Sequence, residues 1–285
     1  MDLKPGDRVA HPSRSDWGIG EVLPDSSGGK VRIYFVHGGE KLLKGVPLQV
    51  LTGESAAHPL LDHRKKVAPR KGLTRKTIPE SIAKFRGIFP DGFRDARFLE
   101  KERNPKVKAH ELMESLLGRA PFDELMASES YDEIASRALR VVAATTLIVP
   151  NEKTALRDGL GTAAEKKAFS RALHAVLYGE AELEARTKDW FEVLTGLEAA
   201  KWTVASYFQF MAFPDRYIAF KPVITQDAAD VCSFELSYKP ELNWITYHCT
   251  QNFAGYLRVE IASLEPRDMI DLQSFISCIA PGKHT

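Results

Sequence analysis

Apolar and polar residues alternate through the first fifty positions, and beyond about residue 78 the apolar positions recur every three to four residues. In "KVRIYFV", Val31, Ile33 and Phe35 alternate with Arg32, Tyr34 and Val36, the period of a strand with one buried face. Strands are predicted in "DRVAHP", "WGIGEVL", "GGKVRIYFV", "EKLLK" and "PLQVL", with Gly, Pro, Ser or Asp at every break. Gly28-Gly29 and Gly38-Gly39 supply the positive-φ positions that tight hairpins use. Four or five short strands within residues 1–52 predict a small SH3-like or Tudor-like β-barrel. A barrel of that size has no room for a ligand inside and works through its rim and outer face.

Residues 53–77 show no sustained period and read as a linker. Residues 78–285 read as a mostly α-helical domain, so the predicted class is multi-domain β + α. Ser130 with Glu133, and Thr162 with Glu165, have the spacing of capping boxes at helix starts. Phe169, Leu173, Val176 and Leu177 form an apolar stripe that Gly179 is placed to end. Further helices are predicted around 107–118, 151–158, 181–194, 202–212, 242–263 and 267–279.

Composition adds limits. The chain is 27% charged and 44% hydrophobic, an ordinary globular balance. No apolar run approaches the roughly 18 residues of a membrane span, and the N-terminal stretch lacks a secretory layout, so a cytoplasmic protein with no membrane contact is expected. Cys232, Cys249 and Cys278 lie far apart and read as buried reduced thiols. The net charge of +1 is unevenly spread: −1 over residues 1–62, +10 over 63–110 and −8 over 111–285. The basic middle peaks in "RKKVAPRKGLTRK", where Arg64, Lys65, Lys66, Arg70, Lys71, Arg75 and Lys76 appear with no acid. Such a run can contact DNA or RNA phosphates without reading sequence, with strong salt dependence. It can equally be a solvated linker, or lie on the acidic helical domain.

Gly18-Ile19-Gly20 begins like a dinucleotide fingerprint, but the sixth position is Leu23, Pro24 follows, and the next element is a strand. The glycines are better read as close-approach positions in a bent strand. No GxxxxGK[ST] loop, zincin pair or G-x-S-x-G elbow occurs, and the eight histidines lack ligand spacing. Neither a cofactor nor a metal is implied.

The stretches "KPGDRVAHPSRSDWGIGEVL" and "GGKVRIYFVHGGEKLL" resemble the small bacterial Tudor-like domain related to the C-terminal tails of UvrD/PcrA-type helicases. They are more distantly similar to the RNA polymerase-interacting domain of CarD and transcription-repair coupling factors. The resemblance rests on Pro5-Gly6-Asp7, Val9, His11-Pro12, Trp17-Gly18, Gly20, Val22, Phe35, Gly39 and Glu40-Lys41. It implies a module that docks on RNA polymerase or a DNA-repair protein, without catalysis. Trp17 and Arg14 are the first candidates for that contact, being residue types that dominate interface energy, with His11, Tyr34 and His37 on the same rim. The alternative is that Trp17 packs across the barrel mouth and Tyr34 covers a sheet edge. Trp17 and Tyr34 are also the only aromatic pair suited to a methyl-lysine cage.

Residues 88–280, including "YFQFMAFPDRYIAFKPVITQDAA", resemble a bacterial helical domain with no assigned activity. Core packing accounts for its aromatics. A groove around Phe220, Lys221, Arg267, Asp268 and Asp271 is the alternative, and Asp268 and Asp271 also suit capping of the helix that follows. The expectation is a non-enzymatic adaptor in transcription or DNA transactions. The alternative is a nucleic-acid-directed or defence-related enzyme with its site among the helices.

Overall fold

The computed structural model describes residues 3–24, 29–62, 78–232 and 234–280. Five strands form where alternation predicts them: β1 (Arg8–Ala10), β2 (Gly20–Val22), β3 (Lys30–Phe35), β4 (Gly39–Lys44) and β5 (Gln49–Leu51). All neighbours are antiparallel, in the order β4-β3-β2-β1-β5. The two ends of that order, β4 and β5, are edges not paired to each other, so the observed element is an open sheet where the sequence predicted a barrel.

The glycines of the Gly18-Ile19-Gly20 motif serve close approach. Gly18 has φ +70, and a Cβ there would come within 2.6 Å of Val36 Cγ2. At Gly20, opposite Phe35, a Cβ would come within 2.8 Å of the Phe35 ring. Only hydrogen fits either site, so the phenylalanine can lie flat across β2.

The sheet is apolar on one face and mixed on the other. Val9, Trp17, Val22, Ile33 and Phe35 make its own small core. Leu23, Tyr34 and Val36 point the other way and join the much larger core of the helices. On that second face Arg8 pairs with Glu21 and Arg32 with Glu40 beside Tyr34, so the apolar contact with the helices is made by a few residues among paired charges.

The stretch predicted as linker is ordered at its start. A 3-10 turn (Gly53–Ala56) leads to a short helix α1 (Pro59–Asp62), where Leu61 is buried and Asp62 accepts from Arg8 at 3.2 Å. The helical part then runs through α2 (Ile78–Ile88), α3 (Ala96–Phe98), α4 (Asn104–Leu117), α5 (Arg119–Ala127), α6 (Tyr131–Ala143) and α7 (Pro150–Asp158). It continues through α8 (Ala163–Tyr178), α9 (Leu183–Gly196), α10 (Trp202–Ala212), α11 (Pro222–Val231), α12 (Trp244–Glu260) and α13 (Met269–Ile279). A π-helical turn, Leu99–Arg103, joins α3 to α4. Helix α10 is buried on every side and α13 nearly so, as expected of helices apolar all round.

Thr162 and Glu165 form their capping box, with Glu165 N–H donating to Thr162 Oγ1 at 3.2 Å and Thr162 N–H to Glu165 Oε2 at 2.7 Å. The second box does not form. Ser130 stands at the N-cap of α6, but its hydroxyl pairs with Ser128 at 2.9 Å and Glu133 is drawn to Arg137 at 2.7 Å. Competing side-chain partners outbid the backbone amide there. The three cysteines are unpaired and buried, and burial pushes each thiol up to about 12. Among the described residues no helix is long and apolar enough to cross a membrane.

Candidate functional site

Between β1 and β2 the chain makes a 3-10 turn, Ser15–Trp17, after Arg14. Asp16 fixes the arginine, accepting from Nε at 2.9 Å and from Nη2 at 2.8 Å. That pairing raises Arg14 and lowers Asp16 relative to their ordinary values, so both stay charged. The guanidinium lies 4.4 Å from the centre of the Trp17 ring, a cation–π stack. Trp17 itself is 8% exposed, with His11 at 4.9 Å and Phe35 at 5.1 Å between ring centres. Arg14 therefore presents the surface of this turn, and Trp17 is the wall behind it.

His37 belongs to the same neighbourhood. Its backbone N–H donates to Trp17 O at 3.0 Å, and its side chain bonds Asn252 of α12. Tyr34 does not share this rim. It lies on the other face of β3, 3% exposed, with its hydroxyl donating to Glu235 O at 2.8 Å and its ring against Phe234. Trp17 and Tyr34 are separated by the sheet and assemble no cage. Trp17 instead shares a cation with Tyr256 of α12. Lys41 Nζ lies 5.1 Å from the Trp17 ring and 4.7 Å from the Tyr256 ring, with Glu260 Oε1 at 3.6 Å. The chain's own lysine fills the place between the two aromatics.

These contacts enclose a cleft of about 290 Å³ between the turn and α12, lined by Arg14, Trp17, His37, Asn252, Tyr256 and Glu260 among others. Sequence reasoning found the Arg14, Trp17 and His37 side. It missed Asn252, Tyr256 and Glu260, which carry no local motif and meet the turn across more than 200 positions of chain, and it gave Lys41 no place beside Trp17.

The residues singled out among the helices have other surroundings. Phe220 is fully buried against Trp202 and Tyr238, and so fills the core instead of lining a groove. Lys221 is the residue before α11, with Pro222 opening the helix. Asp268 caps α13, its Oδ1 accepting from the N–H groups of Ile270 and Asp271 at 3.0 and 3.2 Å. Arg267, Asp268 and Asp271 do come together, around Arg103 from the π-helical turn. Arg64, Lys65, Lys66, Arg70, Lys71, Arg75 and Lys76 lie outside the described residues.

Three histidines line the seam between sheet and helices: His37 after β3, His58 before α1, and His248 in α12. The His37 and His58 rings are 6.5 Å apart, and His248 stacks 5.1 Å from Trp244. Burial lowers all three, and mutual repulsion lowers His58 and His248 further, taking His248 to about 4. Asp62 and Glu184 pull the other way, on His58 and His248 respectively, and Arg8 adds to the lowering of His58. A histidine held neutral in the fold but protonated near 6.5 when unfolded costs nothing above that pH. Below it the unfolded chain binds protons that the fold refuses, and stability falls until the folded value is reached. Stability is therefore expected to decline between pH 6.5 and about 4. His248 alone accounts for about 1 kcal/mol between pH 6.5 and 5 once solvent screening is allowed for. Thermal unfolding of wild type and His248→Gln across this window checks it: the variant should show the shallower decline.

A family model described as a protein of unknown function (DUF3553) matches residues 3–50, the stretch that runs from before β1 into β5. No curated protein and no solved structure matches the chain.

Proposed function

We propose that the protein is a non-enzymatic adaptor in transcription or DNA transactions, whose N-terminal sheet is an SH3-like or Tudor-like module docking on RNA polymerase or a DNA-repair protein. The residues matched by the family model coincide with those that resemble helicase-tail domains. The observation that carries the reading is the surface the helices leave open. They cover Tyr34 on one face of the sheet and reach Arg14 and Lys41 through α12, while Leu42 of β4 and part of Arg14 stay open to solvent. Leu42 on β4 is 58% exposed, and an edge strand offers unpaired N–H and C=O groups to a partner strand. Arg14, stiffened over Trp17 and by Asp16, can be buried in an interface without losing much side-chain freedom. In this reading the run from Arg64 to Lys76 adds salt-sensitive phosphate contacts.

Affinity purification from the native cell, with and without nuclease, tests the proposal. Wild type should enrich RNA polymerase or repair subunits in a nuclease-resistant way, and Arg14→Ala with Leu42→Asp should reduce that enrichment at least about tenfold. Retention of every partner by the double variant would remove the docking role. Loss of all partners on nuclease treatment would leave only the nucleic-acid contact.

A further inference from the structure

The cleft beside Trp17 has a surplus of hydrogen-bond donors. The Trp17 indole N–H is buried and has no acceptor among the described residues, and the same holds for Asn252 Nδ2. A buried donor left unpaired costs roughly 1–3 kcal/mol, so two in one small cleft require an explanation. Lys41 adds a third. Its contacts, Tyr256 Oη at 3.4 Å and Glu260 Oε1 at 3.6 Å, are long beside the roughly 2.7–2.9 Å of a good ammonium–oxygen bond. Burial works against this ammonium and lowers it, with Glu260 opposing.

Both carboxylates of the cleft face cations. Asp16 is held by Arg14 through Nε and Nη2, and Glu260 Oε1 is shared between Lys41 and Arg14, the latter at 3.9 Å. The open wall is aliphatic: Val259 is half exposed, and the space a Cβ of Gly255 would enter is clear. At about 290 Å³ the cleft is near the lower end of the roughly 300–1,000 Å³ typical of small-ligand sites. Donors at the floor select an oxyanion. The two carboxylates nearby repel a second negative charge, which favours a monoanion over a phosphate.

We propose that this cleft binds a carboxylate on a short aliphatic stem, the group carried by a glutamate side chain or a small free carboxylic acid. The oxygens accept from Trp17 Nε1 and Asn252 Nδ2, and the stem lies along Gly255 and Val259. The site goes beyond the adaptor reading and stands without it.

The Trp17 indole resonance in nitrogen-15-labelled protein, assigned with Trp17→Phe, reports the event directly. The probes are N-acetyl-glutamate α-methylamide for a protein-borne carboxylate and butyrate for a free one, each against chloride at equal ionic strength and against inorganic phosphate. A saturable downfield shift with either carboxylate is expected. A response to the amide derivative alone assigns the site to a protein-borne side chain; a response to both shows that the carboxylate and stem suffice. Asn252→Leu should weaken binding about tenfold or more, the loss of one charge-assisted hydrogen bond. Val259→Phe, at an exposed position, should block the site without touching its donors. The proposal is overturned if neither carboxylate gives a saturable shift at tens of millimolar, if phosphate gives the same shift, or if Val259→Phe titrates like wild type. A positive titration alongside partner capture that is indifferent to Arg14 and Leu42 would keep this site and discard the docking role.

Discussion

Replacing Asp271 by alanine is expected to lower the stability of the protein by about 3–5 kcal/mol, the cost of leaving buried charges unpaired. Asp271 is fully buried at the start of α13. Its Oδ1 accepts from Arg103 Nη1 at 2.9 Å and from Arg267 Nη2 at 3.0 Å. Its Oδ2 accepts from Arg267 Nε at 2.8 Å and from Arg267 backbone N–H at 2.9 Å. All its lone pairs are used. Arg103 is also gripped by Asp268 through two bonds of 2.7 and 2.8 Å, and Arg267 donates to Phe93 O at 2.8 Å. Burial pushes Asp268 up, and the Arg103 guanidinium more than reverses this, so it stays ionised below the usual carboxylate range. One cluster thus ties the π-helical turn, the loop holding Phe93 and the first turn of α13 together.

Without Asp271, Arg267 can turn to water because its side chain is 40% exposed, but Arg103 at 15% cannot. Arg103 then depends on Asp268 alone. Asp271→Asn keeps the shape and one acceptor, so it should cost less than Asp271→Ala. Denaturant unfolding at neutral pH checks this, with the midpoint moving and the slope unchanged if the effect is on the native state. A loss below about 1 kcal/mol for Asp271→Ala would show that the cluster is not worth what its burial implies. The same geometry bears on the enzyme alternative: these carboxylates are engaged with arginines and a helix N-terminus, which is a structural use of them.

The strands and most helices were legible in the sequence because their signals are local. Alternation in "KVRIYFV" and the breaks around it locate β3, and the stripe from Phe169 to Leu177 locates α8. Helices α5 and α11 were not anticipated. The first follows α4 after Gly118 alone, and the second begins at Pro222 inside an aromatic-rich run. Whether the sheet closes was not legible, since closure depends on whether β4 and β5 reach each other and not on either sequence. The second face left only a partial trace: Leu23, Tyr34 and Val36 join the helical core, but Arg8, Glu21, Arg32 and Glu40 keep charge beside them. The seam was invisible for a different reason. Lys41 to Tyr256 and Tyr34 to Glu235 join residues far apart in the chain, as Arg103 to Asp271 does among the helices, and no spacing rule encodes such pairs.

Trp17→Ala is expected to cost about 3–5 kcal/mol and to unfold the sheet before the helices, because the indole is a principal member of a very small core. Among the described residues Val9, Val22, Ile33 and Phe35 are buried with it, and a core of this size has few neighbours able to collapse into the space. The loss also removes the ring that Arg14 and Lys41 face, so the turn and the seam loosen together. Trp17→Phe keeps an aromatic against Phe35 and His11 and should cost about 1–2 kcal/mol less. Amide hydrogen exchange separates local from global effects: in Trp17→Ala, β1, β2 and β3 should lose protection while α10 and α13 retain it. Equal loss across sheet and helices would mean that the sheet is an integral part of one cooperative unit. No loss in either would mean that the indole adds nothing beyond its surface. The consequence for function is direct. A partner lost on Trp17→Ala reports an unfolded sheet, so the docking surface has to be tested at Arg14 and Leu42, whose side chains reach solvent and whose removal leaves the core intact.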